Sequence, residues 1–386
     1  VGLGAAFLMA NSSIGPGFLT QTTVFTQQLL SSFGFVILVS FILDIGAQLN
    51  TWRIITISKL RAQDLSNRLL PGWGYVISAM VVLGGFAFNI ANIAGCGLGV
   101  NVLSGLSFQQ GAVISCAAAL ILFWVREIGP MLDQFTRVAG IAKISLTLII
   151  AIAAHPPVWE AVQHSFIPEQ ISTRAIVTIV GGTVGGYITF SGAHRLMDAG
   201  VSGKENISRV DKSAISGILI SGLMRFILFF AVLGAITLGC VPEKNNPAAT
   251  VFQFVAGNWG LRIFGVVLWA AAISSVIGAA YTSVSFLKTL HPLIAKYERV
   301  SISVFIILCT LIFIWIGKPA QLLIWAGMIN GLILPFALGT LLLAARNKKI
   351  MNGYQHPLWM QLFGWAVVMI MGWMGYLAVM DWWISR

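Results

Sequence analysis

Apolar residues occupy this chain in eleven long stretches separated by short polar intervals: roughly 2–30, 32–58, 73–101, 109–126, 134–154, 172–197, 209–239, 260–288, 300–316, 319–345 and 358–383. Several exceed the roughly 20 apolar residues that carry a helix across the hydrocarbon core of a bilayer. Runs of period-two alternation, the mark of a membrane β-barrel, are absent. The pattern predicts an all-α membrane protein of about 11 transmembrane helices with no sizeable soluble domain.

Two of these segments carry a glycine cluster at mid-depth. In segment 1 it is Ser12-Ser13-Ile14-Gly15-Pro16-Gly17, and in segment 6 it is Gly181-Gly182-Thr183-Val184-Gly185-Gly186. Pro16 removes a backbone donor and clashes with the preceding turn, and the glycines favour unwinding. Unwound backbone at membrane depth is tolerated only inside protein or beside water. A broken helix therefore turns bare peptide groups and two half-helix dipoles toward an internal cavity, where an ion or small polar solute can bind. The alternative is that the glycines only let helices pack closely. The clusters fall in the first helix of each five-helix half. Because five is odd, segments 1–5 and 6–10 cross the membrane in opposite senses. The expected organisation is two inverted five-helix repeats, over 1–154 and 172–345, plus one extra helix over 358–383.

Composition agrees with lipid as the main solvent. The chain has 386 residues, 58% hydrophobic and only 9% charged, against about a quarter charged in soluble domains. The net charge of +11 is explained by orientation signals in loops rather than by nucleic acid. With the N-terminus placed in the cytoplasm, sixteen of the 23 Lys and Arg fall in cytoplasmic loops and five on the outer side; Lys143 and Arg225 lie within segments. The native N-terminus is expected upstream of Val1, and no cleavable signal peptide is predicted. The four cysteines, Cys96, Cys116, Cys240 and Cys309, lie at no metal-ligand spacing and read as small buried hydrophobes. The five histidines read as loop or helix-end residues without a metal constellation. The tryptophans, including Trp52, Trp73, Trp382 and Trp383, read as interface anchors. Gly200-Val201-Ser202-Gly203-Lys204 lacks the spacing of a phosphate loop. No nucleophile–His–acid or paired-carboxylate arrangement appears, so an enzyme is not expected.

At its two breaks the chain resembles the NRAMP family of proton-coupled divalent-metal transporters, which have the LeuT-type fold. Ile14-Gly15-Pro16-Gly17-Phe18 stands where that family carries Asp-Pro-Gly-Asn. Thr183-Val184-Gly185-Gly186-Tyr187 stands where it carries Met-Pro-His. Ser274-Ser275 with Gly278 is similar to its eighth helix, and Leu334-Pro335-Phe336-Ala337 to its tenth. The family's metal-binding Asp, Asn and Met fall on Gly15, Phe18 and Gly185. Its sixth-helix histidines fall on Tyr187 and Gly192, its third-helix acids on Asn89 and Asn92, and its tenth-helix glutamine near Gly327. No residue of the family's metal or proton set is retained, so no metal site is expected. A divalent cation leaving water needs anionic or soft ligands, and this pocket offers amides, hydroxyls and carbonyls.

Charges inside a membrane are functional candidates by default. Asp44 in segment 2 reads as a buried pair or as a coupling acid. Lys143 in segment 5 either snorkels to the interface or, as in some LeuT-type transporters, takes the place of a bound sodium near the first helix and Ser274-Ser275. Arg225 in segment 7 either attracts an anionic substrate or pairs with Asp44. Asn89 and Asn92 share a helix face and either bond between helices or line the solute path.

The resulting expectation is a secondary transporter in the cell membrane, monomeric, with no cofactor beyond a coupling H+ or Na+. Its partners would be a small-molecule or ion substrate and the lipid bilayer, with no nucleic acid. Gly15, Gly17, Gly185 and Gly186 would offer backbone groups; Phe18 and Tyr187 would shape the pocket, and Asn89 would add a polar contact. Lys143, Asp44, Asn92, Ser274 and Ser275 are the coupling candidates. A small organic solute, an anion among them, is the expected cargo. The alternatives are proton-coupled Mn2+/Fe2+ or Mg2+ transport, a channel, and a receptor without transport.

Overall fold

The computed structural model describes residues 14–125, 129–288 and 291–384. The start of segment 1, including Ser12 and Ser13, lies outside the described residues. Those described form helices and connecting turns, with no strand among them. The helices are α1 (Pro16–Leu29), α2 (Phe33–Ser58), α3 (Ala62–Leu69), α4 (Trp73–Ser104), α5 (Phe108–Trp124), α6 (Gly129–Ala153), α7 (Val158–Phe166) and α8 (Thr173–Thr183). They continue with α9 (Gly186–Asp198), α10 (Ile207–Thr237), α11 (Pro247–Leu287), α12 (Pro292–Lys296), α13 (Glu298–Ile316), α14 (Pro319–Ala345) and α15 (Leu358–Ile384).

Local chemistry sets many of the ends. Ser107 and Gln110 form a reciprocal capping box at the start of α5, satisfying two amides that the first turn leaves bare. Gly105 and Gly317 close α4 and α13 in the left-handed region, with φ of 75° and 64°, which glycine adopts without steric cost. Gly257, at φ 62°, interrupts α11, so the apolar run predicted from 260 is the part beyond that kink.

Eight helical stretches among the described residues are long and apolar enough to span a bilayer, or nine if one bent pair counts as a span. The expected number of eleven is not reached by this measure, for identifiable reasons. A 3-10 turn at Leu30–Ser32 joins α1 and α2 into one stretch, Pro16–Ser58. Helix α5 has only 17 residues. Helix α6 is bent against α7 by 107°. Three short helices stand where the apolar pattern predicts loops: the five-residue α12, and α3 and α7, whose apolar residues lie on one face, too few to register as a long stretch.

Helix α4 packs most extensively, against α11 and α14, while α14 also lies along α8. Trp52, expected at the membrane interface, is wholly buried and donates its indole N–H to Thr189 O of α9 at 3.0 Å. Trp383 is exposed. All four cysteines are buried and unbridged.

The turn between α14 and α15 is pinned through His356, whose Nε2 lies 2.8 Å from Asn50 Oδ1 of α2. Burial, and then the nearby Arg53 charge, hold this imidazole down from 6.5 to about 4. Between those values an unfolded chain binds the proton and the folded one does not. The contribution of His356 is therefore complete above about 6.5 and declines as pH falls through the window toward about 4. Melting temperature in detergent should drop across that window, and His356→Gln should flatten the drop. An unchanged slope in the variant would remove His356 as its source.

Candidate functional site

Segment 6 is broken. Its first half, α8, ends at Thr183; Val184 and Gly185 are non-helical, and α9 restarts at Gly186 with φ +38°. In segment 1, α1 starts at Pro16, with Ile14 and Gly15 as bends before it. Proline at the first helical position is preset for a helix start, and Gly15 is its extended N-cap.

The glycines of the second break serve close approach as well as unwinding. A Cβ at Gly181 would overlap the Gly327 carbonyl and the Gly331 amide of α14. One at Gly185 would overlap Gly181, and one at Gly186 the side chain of Asn330. The helix is thus interrupted, and its glycines are also pressed against a matching glycine pair on α14. Gly185 and Gly186, expected to turn bare backbone toward a solute, lie on this α14 side. Gly15 is more open, with Ser275 Oγ 3.7 Å from where its Cβ would stand.

Asn330, which the sequence reading did not single out, holds the crossing together. It is 0% exposed. Its Nδ2 donates to Gly84 O of α4 and to Ala326 O, each at 2.9 Å, while its Oδ1 accepts the Tyr187 N–H at 3.5 Å. One carboxamide thereby joins α4, α14 and the start of α9. The Tyr187 ring packs on Phe88 of α4, centroids 5.2 Å apart.

Gln21 of α1 was also missed. Its Nε2 donates to Leu323 O at 2.7 Å, and its amide fills the space beside Gly182 and Gly327. The position that the resemblance assigns to a glutamine on α14 is thus covered by a glutamine from α1. No local signal marks either Asn330 or Gln21, because their partners are up to 302 residues away in sequence.

The other candidates fall around the breaks as follows. Lys143, buried on α6, donates from Nζ to Ile14 O at 2.5 Å, at the entry to α1. With Ser275 beside Gly15, this brings segments 1, 5 and 8 together. Ser274 donates to Ala271 O within its own helix. Asn92 lies one turn from Phe88 and near Gly95, whose Cα faces Pro16, so helical register puts it on the side of the first break. Asn89 is fully buried next to Cys309 of α13.

Phe18 carries the Arg225 guanidinium 4.1 Å above its ring centroid. Arg225 also donates to Thr183 Oγ1, at the end of α8, at 3.1 Å. Asp44 and Arg225 line one small cavity together with Ser40, Thr183 and Ser221. The two alternatives for Arg225 therefore meet in one place: it faces Asp44 and covers a ring of segment 1. His194, expected at a helix end, is buried between Phe190 and Phe286, and its Nε2 accepts the Ala62 N–H at 3.3 Å.

The described residues thus bring the start of α1 and the break of segment 6 close to carboxamides, hydroxyls and two cations. A family model described as Natural resistance-associated macrophage protein-like matches residues 6–381. Uncharacterized membrane protein YcsG of Bacillus subtilis is 56% identical over 373 residues, covering 97% of this chain and 92% of that protein. A manganese transporter of Eremococcus coleocola superposes with TM-score 0.72 at 17% identity, covering 97% of this chain and 85% of the other. MhsT in complex with L-phenylalanine superposes with TM-score 0.62 at 15% identity, over 97% of both chains. Matched along nearly its whole length by the family model and more than half identical to a full-length relative, the chain belongs to the Nramp family of membrane transporters and has the LeuT-type fold.

Proposed function

We propose that this transporter moves a small organic solute, an anion in particular, by alternating access, rather than a transition metal. The observation that carries this reading is the set of groups around the breaks. Glycine backbone, Ser275, Asn92 and Tyr187 stand with Lys143 and Arg225, against a single acid, Asp44. Among the described residues no three His, Cys, Asp or Glu side chains are grouped closely enough to hold a metal ion. A divalent cation would exchange its water for neutral oxygens beside two positive charges, which does not repay dehydration. An anion meets the opposite balance.

In this reading the repeats over 1–154 and 172–345 carry the breaks, and segments 1, 2, 6 and 7 rock against 3, 4, 8 and 9. Gly15, Gly17, Phe18 and Tyr187 border the cargo. The protein sits in the cell membrane as a monomer with its N-terminus in the cytoplasm, and H+ or Na+ drives it through Lys143 or Asp44. The rival cargo, a divalent metal, is favoured by the name of the Eremococcus relative.

A thermal-shift screen of the purified protein separates the two. Small carboxylic acids should raise the melting temperature, and Mn2+ should not. Stabilisation by micromolar Mn2+ would reject the organic-solute reading.

A further inference from the structure

Asp44 and Arg225 are 4% and 3% exposed. They line a cavity of about 10 Å³ with Ile37, Ser40, Thr183 and Ser221, room for about one water molecule. Three polar atoms of these residues, Ser40 Oγ, Asp44 Oδ1 and Arg225 Nη1, make no hydrogen bond to protein. No direct salt bridge joins the carboxylate and the guanidinium among the described residues. Opposite charges this deeply buried normally pair in close contact, since desolvation is repaid only by good geometry. Here the guanidinium instead donates from one nitrogen to Thr183, at the end of α8, and stands over the ring of Phe18, just past the start of α1. It reaches toward the end of α8 and the start of α1, with Thr183 standing between it and its acid.

We infer that Arg225 is the residue that binds the anionic group of the cargo, and that Asp44 takes up one proton when the anion arrives, so that cargo and proton cross together without net charge. This rests on the organic-anion reading above.

The physical cause is charge balance in a dry place. Arg225 can have one anionic counter-ion there, not two: two carboxylates facing a single guanidinium repel, and one of them protonates. The empty-handed protein has Asp44 as that counter-ion. When a substrate carboxylate approaches past Phe18, Asp44 binds a proton from solution at a carboxyl oxygen, and the substrate replaces it. On release to the other side the substrate leaves and Asp44 returns the proton. No covalent bond to the substrate forms or breaks.

The charged groups around Asp44 are few. Of the helices that line its cavity, α2 brings Asp44 itself, α8 brings the neutral Ile179 and Thr183, and α10 brings Arg225 as the one charge, besides Ile218, Ser221 and Gly222. Lys143 is not among the residues lining the cavity and donates to Ile14 O, ahead of α1. Thr183 links the exchange to movement, because the residue that gains or loses Arg225 is the last of the first half-helix.

The test uses the full purified chain in weakly buffered detergent, with lactate, benzoate and nicotinate as probes and lactamide as the neutral control. Binding is read by thermal shift and proton uptake by an indicator dye. The expected result is stabilisation by at least one monocarboxylate, with about one proton taken up per anion bound. Affinity should weaken by about tenfold per pH unit above the titration of Asp44. Asp44→Asn should bind the same anion with no proton uptake and no pH slope. The double variant Asp44→Asn/Arg225→Gln, which leaves no unpaired buried charge, should fold and bind the anion at least tenfold more weakly. Anion binding without proton uptake, or undiminished in the double variant, would overturn this inference and leave the organic-anion reading standing. Stabilisation by none of the monocarboxylates would overturn both.

Discussion

Gly181→Ala should leave little folded protein, although it adds a single methyl group. That methyl would be driven into the carbonyl oxygen of Gly327 and the amide of Gly331. Ordinary overpacking costs roughly 1–3 kcal/mol because flexible side chains give way. Here the obstacle is the backbone of α14, and relief requires α8 and α14 to separate. That separation would also strain the Asn330 bonds that seat α9 and α4. A loss at or above the top of that range, about 3 kcal/mol, is expected. The control is Gly372→Ala on α15, where a Cβ meets nothing within 4 Å and the change should stay within about 0.5 kcal/mol. Both are read as melting temperature and as the monodisperse fraction in size-exclusion chromatography. Equal behaviour of the two variants would show that the crossing is looser than its contacts imply.

Lys143→Met should separate transport from stability. Methionine keeps an unbranched apolar chain one atom shorter and removes the ammonium. A buried charge replaced by an apolar group of similar volume often costs little, since the desolvation penalty disappears with it. Against this, Ile14 O loses the donor that reaches it from α6, a cost of about 1–3 kcal/mol if nothing replaces it. Stability should therefore change modestly. Transport should fall tenfold or more, because the cation that joins segment 5 to the entry of α1 would no longer hold or release the break during the cycle. Uptake into proteoliposomes, with the anion identified by the thermal-shift screen, measures this. Wild-type uptake with a lowered melting temperature would make Lys143 a structural strut.

Which residues the sequence could reveal follows from how local the governing physics is. Gly15-Pro16-Gly17 and the glycines from 181 to 186 advertise interruption through their own backbone chemistry; segment 6 breaks after Thr183, and α1 starts at Pro16, with the residues before Ile14 outside the described ones. Trp52 misled because tryptophan near a segment end is usually an interface anchor, and only the packing of α2 against α9 reveals a buried indole with a carbonyl partner. Gln21 and Asn330 were silent for a related reason: a carboxamide in an apolar run carries no mark of which helix it will meet. Lys143 stood between two readings until its ammonium was seen to reach Ile14 rather than the interface.

By itself the sequence determined the solvent, the helical class and the sites of weakness. Backbone amides in lipid must be satisfied within each segment, and that constraint is written in composition and run length. Tertiary structure alone decided that the glycines of segment 6 are both a break and a packing seam, and that Arg225 faces Asp44 while covering Phe18. These depend on which helices lie side by side. Helix contacts in a membrane are selected by shape and by a few polar bonds between residues far apart in the chain, so no local pattern contains them.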